Sequence, residues 1–335
     1  MPSVRVVIPT LNEAKHIGRV LSEILEAAAP FDADVVVADG GSTDATVQIV
    51  TAIQAREPRV SLLRNSARRQ AAGVNLAARS APADCHTLVR VDAHCRYPRD
   101  FLRQLLTEFD TAVSYGGVAA GVCMRSVGIG PWQRAAAKAQ NHPLGNGRSP
   151  HRSGRGGRFV THAHNAAFLR TAFDAVGGYD ETLSHNEDAD LDARLQGSGG
   201  RIYLSSVEIE YFPRSRPADL WRQYWNFGSG RATSCLKGTT RLRTRQVIPL
   251  FALLANAASL AAAPTLPLAL VVPVSYMLSL GLVAGIEAMR NRSPSLFLVG
   301  PCLAIQHTAW SSGFLRYISS HPAAAATRIL RREGR

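Results

Sequence analysis

Between Arg245 and Glu287 lie 41 consecutive residues without a charged side chain. As helix, at about 1.5 Å per residue, that run reaches roughly 60 Å, twice a hydrocarbon core of about 30 Å. A chain carrying it either buries a long helical hairpin or crosses a bilayer twice. Ala263-Pro264-Thr265-Leu266-Pro267 supplies the turn between the halves. The flanking charges favour the bilayer: Arg231, Lys237, Arg241, Arg243 and Arg245 precede the run with no acid among them, and Arg290 and Arg292 follow it. Both basic clusters would face the cytoplasm by the positive-inside rule. A third apolar stretch, from Leu296 to about Phe314, is interrupted by Pro301, Gln306 and His307. A full crossing there would carry Arg328, Arg331, Arg332 and Arg335 to the opposite side, so its course (spanning, re-entrant or interfacial) stays open. The expected division is a domain over 1–235, membrane-associated helices over 246–318 and a basic tail over 319–335.

The first part is long enough for one good core. With 38 basic against 25 acidic residues, the net charge of +13 favours anionic partners such as nucleotide phosphates or acidic headgroups. No zinc-finger, helix-turn-helix or RNA-binding pattern appears, which argues against nucleic acid. The five cysteines form no CxxC pair and are expected to be reduced and structural. The N-terminus lacks the long apolar core and cleavage site of a secretory signal. The first part is therefore expected to stay in the cytosol, on a multi-pass anchor in the cytoplasmic membrane.

Strand-like and helix-like segments alternate from the start. Val4–Ile8, Val35–Ala38, Val60–Leu63 and Thr87–Val91 read as strands, and Glu13–Ala28, Thr43–Ile53 and Ala71–Arg79 as helices. This order predicts an α/β fold with a mostly parallel, Rossmann-like sheet flanked by helices. Ligands of such sheets bind beyond the carboxyl ends of the strands. Three motifs fall at such ends: Pro9-Thr10-Leu11-Asn12-Glu13, Asp39-Gly40-Gly41-Ser42-Thr43-Asp44 and Asp92-Ala93-His94.

Each motif has a chemical reading. Asp92 and His94, placed on the same side of an extended segment, could hold a divalent cation that bridges phosphate oxygens. Oxygen ligands suit Mg²⁺, and the imidazole admits Mn²⁺. Asp39 could accept a hydrogen bond from a base or ribose, with the glycines allowing close approach. The same turn could equally serve as a helix start capped by Ser42 or Thr43. Glu187 and Asp188 open a short helix over 189–195. They could complement its dipole, yet one or two acids suffice for that and four are present there. Asp188 is the candidate general base for an attacking hydroxyl, and Glu187 a candidate acceptor contact. The Trp221–Arg231 segment reads as an interfacial aromatic belt. Alternatively Trp225 lines the acceptor site, with Arg222 or Arg231 on a diphosphate. The Gly- and Arg-rich segment 144–158 is a surface loop or a lid. His162 and His164 are weaker candidates for the acceptor pocket.

Taken in order, residues 7–13, 39–44, 91–94, 177–181 (Gly-Gly-Tyr-Asp-Glu) and 186–188 (Asn-Glu-Asp) resemble family 2 glycosyltransferases of the GT-A fold. The Asp-Ala-His form, the segment at 224–231 and the membrane tail resemble the succinoglycan-type glucosyltransferases within that family. The resemblance implies inverting transfer of a sugar, glucose in that branch, from a UDP-sugar donor. The acceptor it implies is a lipid-linked saccharide of the undecaprenyl diphosphate type, in exopolysaccharide or cell-surface glycan synthesis. By match, Pro9, Thr10, Glu13, Asp39 and Asp44 hold the nucleoside, Asp92 with His94 holds Mg²⁺ or Mn²⁺, and Asp188 is the base. In the mechanism expected from this, the metal and Arg231 stabilise the leaving diphosphate. His94 stands where a second aspartate is commoner, and the Gln-x-x-Arg-Trp motif of processive synthases is not intact. The latter points to a single addition. The alternative within the class is transfer to a polyprenyl phosphate, as in dolichyl-phosphate mannosyltransferase-like enzymes. A nucleotidyltransferase would want a Gly-rich phosphate loop after the first strand, which 9–13 lacks, and a non-catalytic membrane adaptor would not need Asp92 and Asp188.

Overall fold

The computed structural model describes residues 3–152 and 154–322. The basic residues Arg328, Arg331, Arg332 and Arg335 lie outside the described residues. From the N-terminus, β1 (Ser3–Thr10), α1 (Ile17–Ala28), β2 (Ala33–Asp39), α2 (Thr46–Gln54), β3 (Val60–Arg64), α3 (Gln70–Arg79) and β4 (Cys85–Arg90) alternate as predicted. There follow β5 (Cys95–Arg96), α4 (Phe101–Ser114), β6 (Gly117–Ser126), α5 (Pro131–Asn141), α6 (Pro143–Asn146), β7 (Arg158–Val160), β8 (His164–Leu169), α7 (Arg170–Ala175), α8 (Glu187–Gly197) and β9 (Arg201–Tyr211). The chain closes with α9 (Pro217–Lys237), α10 (Thr244–Ala262), α11 (Val271–Arg290) and α12 (Val299–Ser320).

Contacts divide it into two compact units, Met1–Arg125 with Pro150–Tyr211, and Ser126–Ser149 with Phe212–Arg335. The first holds one sheet in the order β3-β2-β1-β4-β8-β6-β9-β5, with β7 on β9. The first four strands are parallel. The parallel order stops there: β8 runs antiparallel to both β4 and β6, and β5 and β7 run antiparallel to β9. The Val35-Val36-Val37 run of β2 is buried on both faces, as a strand between helical layers must be. Ile17, Val20, Leu21 and Ile24 give α1 its one buried stripe. Two apolar layers result, one containing Val6, Ile8, Phe101 and Phe109, the other Val7, Leu88, Phe168 and Leu191.

In the second unit, two helices are long and apolar enough to cross a membrane by length and composition, Thr244–Ala262 and Pro267–Arg290. Only 6% and 11% of their apolar windows are buried, whereas the core helix of a soluble protein is mostly buried. Ile248, Phe251, Leu254, Met277, Leu278 and Leu282 all stand exposed, far more apolar surface than a water-soluble face carries. Glu287, which ends the uncharged run, is buried and paired with Lys138 of α5 at 2.9 Å. The third apolar stretch behaves differently. In α12, Val299, Cys302, Leu303 and Ala309 are buried, the first three in a core shared with Ala135, Ala139 and Leu220.

α9 and α12 cross at paired glycines. A Cβ on Gly228 would collide with the carbonyl of Trp310, and one on Gly313 with the carbonyl of Trp225. Because the obstruction is backbone on both sides, no rotamer change relieves it. Gly228→Ala is expected to cost about 3 kcal/mol or more by overpacking. It should lower the melting temperature in detergent, and an unchanged midpoint would show that the helices slide apart freely.

Candidate active site

Because β2, β1 and β4 are neighbours and parallel, their carboxyl ends bring Thr10, Asp39 and Asp92 to one edge of the sheet. Thr10 is in register with Asp39, and its hydroxyl donates to the Asp39 carboxylate at 3.3 Å. Asp39 also accepts the backbone N–H groups of Gly41 and Ser42 at 2.9 Å and the Ser42 hydroxyl. These four donors occupy the acceptor positions of the carboxylate. Asp39 therefore shapes the Gly40-Gly41 turn, and a direct bond from it to a base or ribose would have to displace one of them. The start of α2 is satisfied by Asp44, whose carboxylate accepts from the Thr46 N–H at 3.0 Å and the Ala14 N–H at 3.1 Å. Ser42 and Thr43, the expected caps, instead bind Asn12: the Asn12 N–H donates to the Ser42 hydroxyl and the Thr43 N–H to the Asn12 side chain, each at 2.8 Å. Asn12 adopts left-handed backbone (φ 58°), which Asn tolerates better than most residues.

Asp92 and His94 do not lie on an extended segment. The chain turns there, with the Cys95 N–H bonded to the Asp92 carbonyl and the Tyr97 hydroxyl taking the Asp92 N–H at 2.7 Å. The two side chains take different partners. His94 Nδ1 lies 3.3 Å from Glu13 Oε1 and its ring meets the edge of Tyr211. Asp92 turns toward Arg90 and His164.

Arg90 sits two residues before Asp92, on the same side of the strand, and its side chain is 2% exposed. Its Nε lies 3.3 Å from Asp92, and its Nη1 donates to Asp188 at 2.7 Å and to the Tyr179 hydroxyl at 2.9 Å. Tyr179 in turn donates to Asp188 at 2.7 Å. His164 completes the ring, Nε2 lying 3.2 Å from Asp92 and Nδ1 3.5 Å from Asp188. It reaches this point because β8 is antiparallel to β4, so the start of β8 lies beside the end of β4. Two carboxylates and two cationic side chains thus share one nearly dry spot.

The charges follow from that arrangement. Burial by itself would raise Asp92 and Asp188, but Arg90 and His164 hold both well below the usual carboxylate range. Burial would lower His164, yet its bonds to Asp188 and Asp92 push it up to about 9, so both ring nitrogens carry protons. Glu187 differs from its neighbour: burial and the Asp188 charge push it up to about 7. Both sit in the first turn of α8, whose cap residue Asn186 is left-handed (φ 69°).

Arg90, His164 and Tyr179 were not singled out for this role in the sequence. The Arg90–Asp92 spacing of two was a readable signal, and Tyr179 lies inside the Gly-Gly-Tyr-Asp-Glu motif. His162, the other histidine candidate, pairs with buried Asp192 at 2.7 Å and stacks edge-on with His151. Within the Gly/Arg-rich segment, Pro150–Arg152 forms a 3₁₀ turn, and Arg152 lies over the Tyr211 ring, 5.5 Å from its centre. Trp225 and Arg231 belong to the second unit. Trp225 is half-buried in α9, Arg231 is buried there, and exposed Arg222 lies 3.8 Å from Asp219. Among the described residues, no three or more His, Cys, Asp and Glu side chains gather as a metal cage. Ionised Asp92 and the His94–Glu13 pair nonetheless fit a hard cation that takes its remaining ligands from phosphate and water.

A mixed α/β unit with its acids at the carboxyl ends of parallel strands has the architecture of the GT-A class of sugar transferases. The chain belongs to glycosyl transferase family 2, matching it over residues 5–177. It is 40% identical over 314 residues to the succinoglycan biosynthesis protein ExoA of Rhizobium meliloti (strain 1021), covering 93% of each chain. Its fold is similar to that of mannosyltransferase PcManGT from Pyrobaculum calidifontis, solved with GDP-Man and Mn²⁺. That likeness has a TM-score of 0.62 and 21% identity, over 93% of this chain and 86% of the other. The protein is a glycosyltransferase.

Proposed function

We propose that this enzyme transfers a sugar, glucose by its kinship with ExoA, from a UDP-sugar to a lipid-linked saccharide during exopolysaccharide synthesis, with inversion at the anomeric carbon. The observation that carries the reading is the pair of ionised carboxylates, Asp92 and Asp188, compensated by Arg90 and His164 at the strand ends. Pro9, Thr10, Glu13 and the Asp39–Asp44 turn would receive the nucleoside, with Asp39 acting through the shape of the turn. Asp92, with His94, would hold Mg²⁺ or Mn²⁺, whose chemistry is to neutralise the departing diphosphate. Arg231 would be a phosphate ligand, on the donor or on the acceptor side. Asp188 would take the proton of the acceptor hydroxyl as it attacks, with Glu187 and Trp225 on the acceptor side. One observation favours a second assignment of that proton: the Asp188 oxygens already accept from Arg90 and Tyr179, whereas Glu187 is poised near neutrality.

The functional division keeps residues 1–235 as the transferase part in the cytosol, 246–318 as the membrane part and 319–335 as a basic tail. The two exposed apolar helices support association with a membrane, which in this reading is a bacterial inner membrane crossed more than once. Detergent-purified protein should release UDP from one UDP-sugar only when Mg²⁺ or Mn²⁺ and bacterial lipid extract are both present. Release that is independent of lipid, or transfer to bare polyprenyl phosphate, would replace the proposed acceptor.

A further inference from the structure

Arg231 is the least explained charge in the second unit. It is 7% exposed, and its Nε has no hydrogen-bond partner among the described residues. An arginine is not normally buried that far without an anion to meet it. The chain around it explains what else comes near. After Lys237, Gly238 takes left-handed backbone (φ 85°), and the Thr240 N–H and Thr239 hydroxyl both bond to the Ser234 carbonyl. This doubles the chain back along α9, so that Ala232, Leu242 and Leu250 share one small apolar cluster. Arg243 and Arg245, on the returning strand, are thereby brought alongside Arg231. Arg245 is anchored by its bond to the Gly147 carbonyl at 3.3 Å. Burial, together with the charges of Arg243 and Arg245, pulls Arg231 down to about 10. No carboxylate is among the groups that act on it.

Position identifies the anion. Arg243 caps α10, the first helix able to cross a membrane, and Val247, Ile248 and Phe251 just beyond it are exposed. A cluster of arginines there would stand at the level of lipid headgroups. Resting on the reading of a lipid-carried acceptor, we infer that Arg231, Arg243 and Arg245 form the site for the phosphate groups linking the acceptor saccharide to its polyprenyl chain. Arg231 then serves the acceptor's diphosphate and not the donor's.

The test uses the full chain in nanodiscs and measures binding of undecaprenyl diphosphate, inorganic pyrophosphate and UDP in turn. Arg231→Gln, and separately the half-buried pair Arg243→Gln with Arg245→Gln, should weaken undecaprenyl diphosphate at least tenfold and leave UDP within twofold. Arg231→Lys should recover part of the loss. A UDP affinity that falls in step with the lipid would assign Arg231 to the donor and overturn the proposal, as would lipid binding unchanged in both variants. Pyrophosphate competing as well as the lipid would overturn the lipid source, while failure to compete at hundredfold excess supports it. Asp188→Asn separates the two readings: it should keep lipid binding while losing transfer, and transfer lost in every wild-type assay despite intact lipid binding would count against the enzymatic reading alone.

Discussion

Asp188→Asn is expected to lower sugar transfer by about 10²–10⁴-fold, the range a positioned general base supplies. UDP affinity should stay within a few-fold of the parent, because Asp188 bonds to Arg90 and Tyr179 and not to the Asp39 turn. Asp39→Ala should do the reverse, since it releases the Thr10, Gly41 and Ser42 donors together. A mutant at 188 that loses UDP as badly as Asp39→Ala would remove the base assignment. Glu187→Gln sharpens the result. If Asp188 takes the proton, this variant keeps the acid limb of the pH–rate profile and loses acceptor affinity. Should Glu187 take it, the limb near pH 7 disappears with kcat.

Arg90→Met is expected to be the most destabilising single change in the first unit. It leaves Asp92 and Asp188 buried together without their shared cation, a loss on the order of 3–5 kcal/mol. The same cluster sets the pH dependence of stability in chelator. His164, raised to about 9, contributes stability that is complete below its unfolded value near 6.5 and is lost as the pH climbs through 9. Asp92 and Asp188, held low, contribute stability that is present above roughly pH 4 and is lost on acidification. Glu187, raised to about 7, contributes stability that is complete below its unfolded value near 4.5 and is lost as the pH climbs through 7. The melting temperature should therefore peak near pH 4–5 and fall in two steps, through about 7 and about 9. His164→Gln should flatten the upper step and preserve the acid limb; an upper step unchanged in that variant would mean other groups govern it.

The alternation of the first four strands, the acids at their ends and the uncharged run were legible because each depends on spacing within a few residues. Arg90 was within reach by the same rule, since alternate residues of a strand face one way. His164 was not: its place beside Asp92 depends on β8 pairing antiparallel with β4 across more than seventy residues. Local reasoning also misled at Asp92 and His94, where a turn replaced the assumed extended chain. At the start of α2 it chose Ser42 and Thr43, although Asp44 provides the bonds. In the second unit, composition alone could not separate α12 from α10 and α11. All three are apolar, and it is packing against α5, α9 and α11 that removes α12 from the surface.

That crossing constrains how the protein can vary in length. Inserting one residue in α9 between Leu220 and Gly228 would swing one relative to the other by about 100°. Leu220 could then not keep its seat against Ala135 and Val299 while Gly228 stays under Trp310. Insertions and deletions in this helix are tolerated only near whole turns, in threes and fours or sevens. The pair of glycines acts as a gauge fixing the phase between the aromatic half of α9 and the arginine that follows it.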